Sequence, residues 1–143
     1  MCKLEAAILL AVQAHQGQTD KAGQPYILHP LRMMTKMKTE AEMMAAVLHD
    51  VVEDTDWSLG RLREQGFPDE VLAAVECLTR GEGESYAAFI ERVKTNRIAT
   101  RVKLADLEDN MDVRRISNFT VTDAERMAKY NQAWQSLVES ASS

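Results

Sequence analysis

The chain has 143 residues, 45% hydrophobic and 27% charged, a balance that suits one soluble globular core and is too short for two. Its 22 acidic residues outnumber its 17 Lys and Arg for a formal charge of −5, which argues against the basic footprint of a nucleic-acid binder but leaves room for one nucleotide in a locally positive pocket. No apolar run approaches the ~20 residues of a membrane span, and the run Ala6 to Val12 lacks the flanks of a signal peptide; with Cys2 and Cys77 read as reduced thiols, the expectation is a cytoplasmic protein.

The composition favours helices, with few Pro and Gly and no clean alternation of apolar and polar residues. Leu4, Ala7, Ile8, Ala11, Val12 and His15 share a helical face, predicting a helix over 3–16 that Gly17 stops. Residues 17–29 follow as a polar loop closing on Pro25-Tyr26-Ile27, a candidate functional loop. Pro30 is suited to the first turn of a helix over 30–38. A third helix is predicted over 40–53, with Met43, Met44, Val47, Leu48 and Val51 apolar. Thr55 or Asp56 is the expected cap of a short helix ending at Gly66, and Pro68 opens another over 69–80. After the turn Gly81–Glu84, Ser85 caps 86–94 and Asn96 caps a long helix over 97–110. Thr122 with Glu125 reads as a capping box for a last helix to about Glu139, and the tail 140–143 is expected to lack fixed structure. The sum is an all-α, single-domain bundle of about eight helices with its core over 3–138. Trp57, Trp134 and the methionines from Met33 to Met44 are read as packing residues, and Arg114-Arg115 as a solvated turn or a phosphate contact.

The polar residues inside apolar stretches carry the chemistry. His49-Asp50 interrupts MMAAVLHDVV, and an imidazole beside a carboxylate is costly to bury unless paired or bound to metal. Neighbours on a helix diverge by about 100°, so both can reach a site between their directions. Glu53 and Asp54 lie one turn further along the same surface. Asp106, at the end of the apolar run from Val102, is a second buried carboxylate in need of a cation, with Asn110 one turn later. Together with His29 these give a candidate set of His29, His49, Asp50 and Asp106. Its nitrogen and oxygen donors suit Mn²⁺, Fe²⁺, Zn²⁺ or Co²⁺. His15, on the stripe of the first helix, reads as a core or loop histidine.

Three blocks make the chain resemble the HD-domain metal-dependent phosphohydrolases, and within them the hydrolase domain of the RelA/SpoT alarmone enzymes: AHQGQTDKAGQPYILHP at 14–30, LHDVVEDT at 48–55 and VKLADLEDNMD at 102–112. Their order and spacing extend the resemblance over about residues 3–138. It implies one divalent metal ion, foremost Mn²⁺, held by His29, His49, Asp50 and Asp106. It implies Glu53 and Asp54 as the acidic pair acting on the attacking water, and Lys21 and Asn110 as substrate contacts, to which Tyr26 and Arg32 are added as candidates. Asp20, Leu107, Asp112 and Val113 depart from a family pattern that is basic or hydroxylated there.

The activity this resemblance implies is (p)ppGpp 3′-pyrophosphohydrolysis by a small stand-alone hydrolase, since the chain has no room for a synthetase or regulatory domain. Hydrolysis of another phosphorylated nucleotide, or nucleotide sensing with little turnover, are the alternatives. The expected partner is a small nucleotide rather than a nucleic-acid polymer or a membrane, with a second copy of the chain as a candidate.

Overall fold

The computed structural model describes residues 2–142. Nine α-helical segments and one 3₁₀ turn make up the regular structure of the described residues: α1 Lys3–Ala14, α2 Leu28–Thr35, α3 Glu40–Leu48, α4 Val51–Asp54, α5 Leu59–Glu64, α6 Asp69–Leu78, α7 Tyr86–Val93, α8 Arg97–Asn110, η1 Val113–Arg115 and α9 Val121–Ser142. Extended pairing among the described residues is limited to a bridge between Thr19 and Pro25. No helix among them is long and apolar enough to cross a membrane.

Local chemistry sets most of the boundaries. Thr39 and Glu42 form a reciprocal capping box at the start of α3, and Ser85 and Asn96 accept the Ala88 and Ala99 amides at the starts of α7 and α8. Gly17, at φ +84°, turns the chain out of α1 into the loop, a conformation that a side chain would strain. In that loop Asp20 folds its carboxylate back onto the amides of Ala22 and Gln24, both at 2.9 Å.

Several boundaries differ from the sequence reading. α2 starts at Leu28, so His29 lies inside its first turn, where Pro30 is tolerated because amides there have no intrahelical acceptor. The helix expected over 40–53 is broken at His49-Asp50. His49 Nδ1 takes the Ala46 carbonyl at 2.7 Å, the acceptor that Asp50 N–H would use in a continuous helix. Ser58, not Thr55 or Asp56, caps α5, accepting from Arg61 N at 3.2 Å. The capping box of α9 is Thr120 with Asp123, rather than Thr122 with Glu125. α9 then continues past Glu139 to Ser142, so the tail is helical that far, and Ser143 lies outside the described residues.

α3 is the hub, burying Met44 through Leu48 against α1, α2, α6 and α8. Met33 and Met37 join Met44 in the core, and Trp57 and Trp134 pack against it half-buried. Leu107 is fully buried, which accounts for an apolar residue there, whereas Val113 is exposed. α9 packs on α8 and α7 and buries only Ala133 and Leu137.

Candidate metal centre

α2, the α3–α4 break and α8 bring four side chains to one point. Ligand atoms of His29, His49 and Asp50 lie within 4.8 Å of one another. Asp106 Oδ1 completes the group, 2.8 Å from His29 Nε2 and 3.6 Å from His49 Nε2. His29, His49 and Asp106 are all buried. The helix break serves this geometry, because ending α3 at Leu48 lets the adjacent His49 and Asp50 converge instead of diverging around a helix.

The surroundings fit a cation. His49 Nδ1 is engaged by the Ala46 carbonyl and His29 Nδ1 by Asp109 Oδ2, each at 2.7 Å, so both Nε2 atoms point to the centre. Asp50 Oδ2 lies 2.9 Å from His49 Nε2 without the alignment of a hydrogen bond, leaving that buried nitrogen with no hydrogen-bond partner. With carboxylates facing both Nε2 atoms, either the imidazoles are charged or a cation stands between them. Two neutral imidazoles and two carboxylates suit a divalent ion of the Mn²⁺, Fe²⁺, Co²⁺ or Zn²⁺ kind. The titration of the group reflects the same opposition. Burial alone would lower the pKa of His49, but the charges of Asp50 and Asp106 hold it well above the usual value. Burial works against the ionised Asp106, yet Lys103 and the two histidines hold its pKa well below the carboxylate range.

A cavity of about 300 Å³ opens over these ligands and includes Glu53 and Asp54. Glu53 Oε1 accepts the Arg80 amide at 2.9 Å, which fixes the carboxylate at the rim. Asp54 keeps solvent contact, but desolvation by the cavity walls and then the charges of Asp50 and Glu53 push its pKa up to about 6. Arg80, Lys103 and Lys129 also line this cavity. Lys103 Nζ is bound to Asp106 Oδ2 at 2.7 Å, while Lys129 Nζ lies 4.0 Å from the Tyr86 ring centroid.

A second cavity of about 650 Å³ adjoins the first, and both are lined by Tyr26, His29, Asn110 and Tyr130. Asn110 donates to Asp106 Oδ1 at 3.1 Å. The Tyr26 ring packs on His15 and His29, with its hydroxyl donating to Asp50 Oδ2. Burial, then the Asp50 charge, raises the Tyr26 pKa far above normal, so it remains a donor. Lys21 and Arg32 line only the larger cavity. Arg32 grips Asp109 through Nε and NH2 at 2.8 and 2.9 Å, so it is tied to the residue that orients His29. Of the arginine pair, Arg114 turns outward onto Asp112 while Arg115 reaches the cavity wall and Asp109. His15 is buried, with Nδ1 on Gln18 Oε1 at 2.9 Å, and is not among the converging ligands.

Sequence reasoning missed Asp109, Lys103, Arg80, Arg126, Lys129 and Tyr130. Lys103 and Asp109 each stand three residues from Asp106 on α8, a spacing that marks the same helix face. The α9 residues carry no comparable local signal, since only the docking of α9 on α8 and α7 brings them to the cavities.

Known proteins resemble this chain in sequence and in fold. The HD domain family matches residues 7–115. The bifunctional (p)ppGpp synthase/hydrolase SpoT of Escherichia coli is 34% identical over 124 residues, covering 76% of this chain and 18% of that protein. The guanosine-3′,5′-bis(diphosphate) 3′-pyrophosphohydrolase of Vibrio cholerae is 44% identical over 123 residues, covering 76% of this chain and 17% of that protein. The chain thus spans less than a fifth of the length of these relatives. Among solved structures, a metazoan ortholog of SpoT, described as hydrolysing ppGpp, superposes with a TM-score of 0.79 at 25% identity, covering 96% of this chain and 85% of that one. By the extent of the family match, by these relatives and by its all-helical fold, the chain belongs to the HD domain family.

Proposed function

We propose that the chain is a metal-dependent phosphohydrolase that releases pyrophosphate from the 3′ position of a guanosine alarmone, (p)ppGpp. The observation that carries this reading is the convergence of His29, His49, Asp50 and Asp106 beneath a cavity that also holds Glu53 and Asp54. The named relatives of E. coli and V. cholerae and the metazoan structure support the substrate class.

His29, His49, Asp50 and Asp106 would hold the ion, with Mn²⁺ the foremost candidate among the N/O-binding divalent metals. When bound, the ion supplies Lewis acidity to the phosphoryl group and the attacking water. Glu53, fixed by the Arg80 amide, orients that water. Asp54, whose pKa of about 6 suits proton exchange near neutrality, takes its proton. Arg80 and Lys129, which line the same cavity, receive the charge of the departing pyrophosphate. Asn110 and Tyr26, at the border of the two cavities, contact the sugar while holding Asp106 and Asp50. Lys21 and Arg32 face the remainder of the nucleotide in the larger cavity. Two free cysteines accord with a cytoplasmic setting.

The test is a panel of phosphorylated nucleotides, including ppGpp, incubated with purified protein and Mn²⁺, with pyrophosphate and inorganic phosphate read separately. Pyrophosphate together with GDP from ppGpp is the expected result. Inorganic phosphate from a different nucleotide, with ppGpp untouched, would overturn the substrate assignment. Tight ppGpp binding without turnover would make the chain a sensor.

A further inference from the structure

The two cavities differ in how their cations are engaged. In the metal-side cavity Lys103 is paired with Asp106, whereas Arg80, bonded to the Glu84 carbonyl, and Lys129 have no carboxylate within ion-pair distance among the described residues. In the larger cavity the arginines are already neutralised. Arg32 is bound at both nitrogens by Asp109. Arg115 lies 3.3 Å from Asp109 Oδ2 and 3.5 Å from Asp112 Oδ2, and Arg126 is paired with Asp123. Lys21 has no carboxylate partner among the described residues, but Asp20 beside it adds an opposite charge to the same wall. Four basic and four acidic side chains line this cavity, so a polyanion entering it meets no surplus of positive charge and must compete with carboxylates for each arginine.

If the scissile diphosphate occupies the metal-side cavity, the nucleoside end of the substrate extends past Tyr26 and Asn110 into the charge-balanced one. We propose that the larger cavity is a nucleoside subsite selecting for low charge, so that the chain prefers guanosine 3′-diphosphates whose 5′ position is free or singly phosphorylated over those with a 5′-di- or triphosphate. This inference rests on the proposed 3′-pyrophosphohydrolase reading.

The experiment measures kcat/KM for guanosine 3′-diphosphate carrying a 5′-hydroxyl, mono-, di- or triphosphate, with Mn²⁺ and at fixed ionic strength. The expected result is a fall of at least about threefold from the 5′-monophosphate to the 5′-triphosphate, the scale of one screened repulsion between like charges. A flat or rising series overturns the proposal. In D112N, which removes one of the four carboxylates from the cavity wall and leaves Arg115 held by Asp109 alone, the triphosphate-to-monophosphate ratio rises by at least about threefold; an unchanged ratio also counts against it. The ratio is internal to each variant, so partial misfolding cancels. If none of the four compounds is cleaved, the hydrolase reading has failed, and calorimetric binding of GMP against GTP decides the subsite: tighter GMP supports it and tighter GTP overturns it.

Discussion

Asp109 accepts the Nδ1–H of His29 at 2.7 Å while Arg32 clamps the same carboxylate through two nitrogens. This relay fixes the His29 ring from the side facing away from the proposed metal site, so Asp109 should contribute to metal affinity without touching the ion. D109N keeps the shape but turns an anionic acceptor into an amide. It should weaken Mn²⁺ binding by about 10–100-fold. Calorimetric titration of the metal-free protein measures this directly, and unchanged affinity would leave the relay with a packing role alone.

Glu53 sits at the cavity rim on the Arg80 amide rather than among the converging ligand atoms. E53Q should therefore bind Mn²⁺ as the wild type does and lose about 100-fold or more in kcat, with little change in KM. Parallel metal titrations and steady-state kinetics check both halves, and normal turnover in E53Q would remove its proposed role.

Asp54 titrates the other way from most of the chain's paired carboxylates. Its pKa is raised to about 6 from an ordinary 3.8, so the folded protein keeps this proton at pH values where the unfolded chain has released it. The resulting stability is present below the ordinary value and is lost as pH rises through about 6. D54N cannot ionise. In metal-free protein its Tm, relative to wild type, should climb between roughly pH 4 and pH 7 and level off above. A constant difference across that range would show that Asp54 does not titrate there.

Leu107 is fully buried between two functional neighbours on α8, Asp106 and the Asp109–Asn110 pair. L107A should cost about 2–5 kcal/mol, from reduced burial and the cavity left behind. Urea denaturation reads this as a lower midpoint at unchanged slope.

The four converging side chains were legible because polar residues set within apolar helical stretches need a reason to be there. His49-Asp50 and Asp106 announced themselves by the company they keep. The break at His49 was not legible, because apolar residues continue on both sides and the interruption depends on one imidazole capturing the Ala46 carbonyl. Lys103 and Asp109 carried no signal beyond their spacing from Asp106, which places them on its face. At the start of α9 the sequence pointed to Thr122–Glu125 as the capping box, whereas the structure caps the helix two residues earlier with Thr120 and Asp123. Nor did anything local foretell that Lys129 and Tyr130 would reach the cavities.

α9 furnishes Arg126, Lys129 and Tyr130 to the cavity walls yet commits only Ala133 and Leu137 to the interior. The elements that bring the candidate ligands together, α2, the α3–α4 break and α8, are by contrast woven through the core. The proposed chemistry and the stability therefore rest on the same elements there, while the outer helix can exchange Arg126 and Lys129 with little effect on folding, Tyr130 being packed against the core. A lineage built on this scaffold could retune which nucleotide it accepts by rewriting a single peripheral helix, leaving the reaction itself untouched.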